Sequence, residues 1–246
     1  MKYGIASYHR PECDTVKTLL DAGINPDDII ISVQCQSDYE EYSKRHKVKI
    51  IYAENDCAGG NRNNLLKNIN DDLCLLDDDV KSFAYWNGEK YVTDTKKALL
   101  LLTESLNDLF DDVAIIGISA SGNGLVRKGR RDTTFMTLLQ GTFLIIRDKD
   151  LFFDERWKMV EDYEISLRAV HKGRATIRFN NFVANKPKNG TNKGGLHDRY
   201  ENGEQKRWIR LLAKVYPEFH PNKDNTGGCI RFKYRRRKNE NKNLQN

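Results

Sequence analysis

A chain of 246 residues with 39% apolar and 10% aromatic side chains is long enough for one large domain or two small ones and can bury a real core. At 31% charged residues and a mean hydropathy of -0.70 it is polar for a globular protein, yet recurring apolar runs exclude wholesale disorder, and none approaches the roughly 20 residues that span a bilayer. The net charge of +6 lies wholly in residues 231–246, which hold seven Lys/Arg against one Glu. The five scattered cysteines form no C-x-x-C pair, which argues against a zinc ribbon or disulfide framework, and the first residues lack the apolar region of a signal peptide, so the expected location is cytoplasmic, with no membrane partner.

In chain order, apolar β-rich runs fall at residues 3–6, 29–33, 48–52, 73–76, 113–118, 142–146 and 175–183. Between the early ones lie helical patterns. Cys13, Val16 and Leu20 share a helical face that stops at Gly23, and Leu65, Leu66 and Ile69 share another, with Asn61 as its expected N-cap. Asp94 is placed to cap a longer helix with the face Ala98, Leu102, Leu106 and Leu109. A Gly-rich stretch at 122–129, a helix at 161–172, a loop-rich segment at 185–199 and a helix carrying Trp208, Leu212 and Val215 up to Pro217 complete the chain, with fraying expected beyond 239. Strand–helix alternation of this kind predicts an α/β fold with a mainly parallel sheet covered by helices on both sides.

In such a sheet, ligands bind beyond the carboxyl ends of the strands. Reading outward from the first four gives residues 7–11, 34–38, 55–62 and 77–79, all on one edge. Asp77-Asp78-Asp79 ends a buried run, and hard oxygen ligands packed this closely suit Mg²⁺ or Mn²⁺ on a phosphate; an ordinary acidic turn is the structural alternative. The Gly59-Gly60 pair ahead of Arg62 lets a helix N-terminus approach an anion closely, and a plain glycine turn is again the alternative. Glu161 and Asp162 open a helix that closes on Arg168, His171 and Lys172, a charge order that the helix dipole alone explains, although a carboxylate there also suits a general base. His197, in a polar loop, suits a metal or phosphate as well as solvent.

Taken in order, the 7–11 loop, Gly60-Asn61-Arg62-Asn63, Asp77-Asp78-Asp79, the 141–147 strand, Glu161-Asp162 and His197 resemble a GT-A glycosyltransferase over residues 3–200. The resemblance implies a Rossmann-like sheet in a domain at 1–230, with a nucleotide-sugar half at 1–112, a smaller acceptor half at 113–230 and a basic tail at 231–246. It implies a nucleoside-diphosphate sugar, with UDP as the expected nucleotide, contacted by Ser7, Arg10, Gln34, Arg62, Asp77 and Asp78; Mn²⁺ or Mg²⁺ held by Asp77, Asp79 and His197; and Asp162 as the base that deprotonates the acceptor in inverting members.

Within that fold, Ser7-Tyr8-His9-Arg10-Pro11, Glu161-Asp162-Tyr163-Glu164 and the basic terminus are similar to the phage-type TET-associated glycosyltransferases, whose implied acceptor is a hydroxymethylated pyrimidine in double-stranded DNA. Arg231, Lys233, Arg235, Arg236, Arg237 and Lys238, interleaved with aromatics, suit phosphate tracking and base stacking, and equally suit solubility. The competing readings are a glycan or protein acceptor, a sugar nucleotidyltransferase, and a non-enzymatic DNA-binding module that would leave the acidic cluster without a role. A haloacid-dehalogenase-type phosphatase fits poorly, because its acids follow the first core strand and these follow the fourth.

Overall fold

Runs such as Ile29-Ile30-Ile31 and Leu73-Cys74-Leu75-Leu76 are apolar on both faces, which a strand tolerates only between two helical layers. The computed structural model describes residues 1–109, 112–120, 122–187, 197–225 and 227–231, with the side chains of 126, 197 and 198 outside that description. It builds β1 (Lys2–Ala6), α1 (Asp14–Asp21), β2 (Ile29–Val33), α2 (Gln36–Arg45), β3 (Lys49–Tyr52), α3 (Ala58–Asn68), β4 (Leu73–Asp77), β5 (Ser82–Trp86), β6 (Tyr91–Thr93) and α4 (Thr95–Asn107). Then follow β7 (Val113–Ser119), α5 (Gly124–Lys128), β8 (Thr133–Phe135), β9 (Phe143–Ile146), α6 (Glu161–His171), β10 (Ala175–Asn185), α7 (His197–Glu201), α8 (Glu204–Val215), β11 (Phe219–Pro221) and β12 (Gly228–Ile230).

The main sheet runs β3-β2-β1-β4-β9-β7-β10-β5-β6, with β8 also on β10. Pairing is parallel through β3, β2, β1 and β4 and again between β7 and β10; β9 joins the two parallel groups in the antiparallel sense. The period-2 pattern divides the core between faces. Ile29, Ile31, Val33, Cys74 and Leu76 pack with Val16, Leu19, Tyr42 and Leu102 on one side. Ile30, Leu73 and Leu75 pack with Leu65, Ile165 and Ala169 on the other. A third cluster, around Trp157, Leu167, Ile209, Leu212 and Phe219, seats α8 and β11 against α6. Among the described residues no helix is long and apolar enough to cross a membrane.

The seven expected strands and the capping role of Asp94, which accepts the Lys97 N–H at 3.0 Å, appear as read. Three helical details differ. Leu20 is exposed while Leu19 is fully buried, because α1 turns Thr15, Val16, Thr18 and Leu19 inward. On α8, Val215 is exposed and Ile209 takes its place in the core beside Leu212. Asn61 lies inside α3, whose N-cap is Cys57, with Sγ accepting the Gly60 N–H at 3.3 Å. The helix begins early because Gly59 and Gly60 let it press against Phe153 and Asn55, where a Cβ would meet carbons at 3.2 and 3.0 Å.

One contact ties this scaffold to the acidic turn. Thr15 and Thr18, buried in α1, clamp its backbone: Thr15 Oγ1 donates to the Asp77 carbonyl (2.7 Å) and accepts the Val80 N–H (2.9 Å), and Thr18 Oγ1 donates to the Val80 carbonyl (2.8 Å). The backbone of the turn is thereby held by core packing rather than by solvent.

Candidate active site

The carboxyl edge of β1, β2 and β4 opens into a cleft of about 520 Å³ whose walls include Ser7, Arg10, Gln34, Arg62, Asp77, Asp78, Asp79 and Asp162. The residues read from four separate loops therefore meet in one place. His197 begins α7, but its side chain lies outside the described residues, as do Lys233, Arg235, Arg236, Arg237 and Lys238; Arg231 is exposed.

The three aspartates do not share one role. Asp77 accepts from Arg62 Nη2 at 2.8 Å and from Lys186 Nζ at 2.7 Å, so both of its oxygens face protein cations. Burial opposes its ionisation, yet Lys186 and Arg62 outweigh burial and hold the carboxyl well below the usual range. Asp78 turns inward and accepts from Ser7 Oγ (2.6 Å) and Arg10 Nη1 (2.8 Å). Its pKa is raised, burial outweighing those two partners. Asp79 lies 3.5 Å from Arg10 Nη1 and is pushed up to about 6 by burial and by the charges of Asp77 and Asp78. It is the member of the turn whose ionised form most needs a further positive charge.

Arg62 is the hub. The residue is 5% exposed, its guanidinium bridges Asp77 on β4 to Glu161 at the start of α6, and a Cβ on Gly141 would collide with it. Burial works against its charge, and Glu161, Asp77 and Asp162 together more than restore it. Two buried polar atoms of residues at the cleft, Arg62 Nε and Asn61 Oδ1, have no hydrogen-bond partner among the described residues, an arrangement that costs about 1–3 kcal/mol each.

The helix-opening acids divide their duties in the same way. Glu161 is buried and engaged with Arg62. Asp162 is only partly buried and faces the cleft, its oxygens held by the Gly141 and Tyr163 N–H groups, each at 2.8 Å. Burial and the neighbouring Glu161 charge push it up to about 7, the range of a working general base. Gln34, also on the wall, donates to the Cys57 carbonyl at 3.2 Å.

Lys186 was invisible in the residue pattern because it sits in a loop with no motif. Its signal is its place, directly beyond the carboxyl end of β10. Its Nζ neutralises an aspartate 109 residues away.

The donor set fits a divalent cation of a particular kind. Asp77, Asp78 and Asp79 all line the cleft, the first two engaged on both oxygens, and magnesium-type ions bind well through one or two carboxylates, waters and a substrate phosphate, so Asp79 could hold one. Elsewhere, His9, Cys35 and Asp38 bring one donor atom each within 4.8 Å of one another.

Among curated proteins, none matches the chain. A family model does: it spans residues 10–195, which takes in Arg10, Arg62, the acidic turn, Asp162 and Lys186. The match covers more than half of the chain, which is therefore a member of the TET-associated glycosyltransferase family.

Proposed function

We propose that this glycosyltransferase moves a sugar from a nucleoside-diphosphate donor, UDP by expectation, to the hydroxyl of a 5-hydroxymethylpyrimidine in phage DNA, with inversion and with the help of Mn²⁺ or Mg²⁺. The observation that carries the reading is the division of labour at α6, where Glu161 is consumed by Arg62 while Asp162, with its pKa near neutrality, faces the cleft. Residues 1–112 would hold most of the donor and residues 113–230 the acceptor, with Lys186 reaching across to the acidic turn.

The chain's own residues supply most of the chemistry. Arg10 and Lys186 bring positive charge to the side of the cleft where a diphosphate leaving group gains charge, and preorganised charges of this kind stabilise a transition state without rearranging. Arg62 holds Asp77 and Glu161 in register, so that the donor end and the acceptor end of the cleft keep a fixed separation. Asp162 takes the proton from the acceptor hydroxyl as it attacks the anomeric carbon. When bound, a divalent ion would sit against Asp79 and offset leaving-group charge. Turnover of a duplex oligonucleotide carrying 5-hydroxymethylcytosine, read as the mass gain of one sugar per modified nucleoside across a panel of nucleotide sugars, tests the reading. A panel in which a free glycan is glycosylated and the oligonucleotide is not would replace the DNA acceptor.

Asp79→Asn separates the metal role from the fold. The folded pKa of Asp79, about 6, lies above its ordinary value of 3.8, so the stability tied to its protonated form is present below about pH 4 and lost as pH rises through 6. The variant is therefore expected to melt higher than wild type at pH 8, by about 1–3 kcal/mol of stability, and to show no gain at pH 4. It is also expected to lose the extra thermal shift that manganese adds to UDP, a shift worth about 2.7 kcal/mol at a ligand concentration 100 times Kd. A manganese-dependent shift that survives in Asp79→Asn would remove the metal from this aspartate.

A further inference from the structure

Residues 122–136, between β7 and the end of β8, contain four basic residues and one acid, on a part of the fold that donor binding and proton abstraction do not use. Arg127 is its anchor. Buried to 7% exposure, it bonds Asp132 and Asn181 through Nη2, donates from Nη1 to the Arg130 carbonyl at 2.6 Å, and lies 5.5 Å over the Trp86 ring. Asn180 on β10 holds the other side, donating from Nδ2 to the Arg131 carbonyl at 2.8 Å. The one acid of the segment is thus engaged by Arg127, and the turn is pinned so that Lys128, Arg130 and Arg131 stand in solvent.

Among the described residues these three and the nearby Arg178 have no carboxylate within ion-pair distance. Arg178 is held below its usual pKa by burial and by the charge of Arg130, as expected where cations are crowded without a counter-charge. Leu125, at 82% exposure, and Phe135, at 55%, add apolar surface on either side. Uncompensated cations with interleaved apolar side chains are the surface chemistry of a phosphodiester strand.

We propose that Lys128, Arg130, Arg131 and Arg178 form a docking surface for the phosphate backbone of the acceptor DNA, flanking the site of sugar transfer. The proposal rests on the DNA-acceptor reading above and deepens it. Strand β10 links the two places: it runs from Arg178 through a register shift between Phe179 and Val183 to Asn185, beside Lys186 at the cleft.

The test is fluorescence anisotropy of the full chain with a 20-base-pair duplex bearing one 5-hydroxymethylcytosine, titrated between about 50 and 200 mM salt. The triple variant Lys128→Gln/Arg130→Gln/Arg131→Gln is expected to bind at least tenfold more weakly at 100 mM salt. The slope of log K against log salt should fall by about 2.7 if all three cations meet phosphates, since each lost phosphate contact removes about 0.9. Lys44→Gln/Lys47→Gln/Lys49→Gln, which removes the same charge from exposed positions on and around β3 at the far edge of the sheet, should stay within twofold of wild type. If wild type binds and the 128/130/131 variant binds equally well with the same slope, this surface is not the contact, while the DNA reading stands. If both triple variants weaken binding alike, general charge is responsible and the proposal falls. Failure of the unaltered chain to bind DNA overturns the surface and the DNA reading together, and competition by polyglutamate as strong as by DNA overturns the nucleic-acid assignment.

Discussion

Asp162→Asn lowers turnover by about 10²–10⁴-fold while leaving the affinity for UDP near that of wild type, because it removes the proton acceptor and touches no donor contact. The carboxylate oxygens of Asp162 accept from two backbone N–H groups, Gly141 and Tyr163, and an amide can satisfy only one of them through its carbonyl oxygen. A small loss of stability is therefore expected too, and the thermal midpoint separates it from the loss of rate. In wild type, log(kcat/KM) should rise with unit slope from acid pH and level off near pH 7, since Asp162 works only when ionised and burial and Glu161 push its pKa up to about 7. The variant should lose that acid limb. Retention of more than a tenth of wild-type turnover, or an unchanged acid limb in the variant, would move the base elsewhere.

The second large effect is on the fold. Arg62→Met is expected to lose about 3–5 kcal/mol, read as a fall in urea midpoint at unchanged m-value, because it strips the counter-charge from a buried Glu161 and half of that from Asp77. Adding Glu161→Gln to Arg62→Met should recover much of the loss. The remaining buried charge, Asp77, keeps Lys186 at 2.7 Å, whereas Glu161 in the single variant keeps no cation among the described residues. If the single variant stays within about 1 kcal/mol of wild type, the bridge is not what holds the acidic turn to α6, and the fixed spacing of the cleft needs another cause.

Much of the edge chemistry was legible in the residue order because strand–helix alternation forces parallel pairing, and parallel pairing brings every second loop to the same side. Residues 7–11, 34–38, 55–62 and 77–79 thus had to meet, whatever their side chains then did. The helical slips at Leu20, Asn61 and Val215 have a common source. Periodicity selects a face only to within a residue, and which residue is buried depends on the element packed against it, such as Phe153 and Asn55 against the Gly59-Gly60 turn. Strands β5 and β8 exist because β10 offers them an edge, and β6 because β5 does, pairings that no local period announces.

The sequence by itself determined the layered α/β core, the shared edge and the stock of acids and cations at it, since these follow from local periodicity and from the chirality of strand connections. Only the tertiary structure decided the partners: Arg62 with Glu161 across 99 residues, Lys186 with Asp77 across 109, and Thr15 and Thr18 beneath the acidic turn. A buried charge settles wherever the packed backbone brings an opposite charge within about 3 Å, and that distance is set by the whole core and by no run of neighbouring residues.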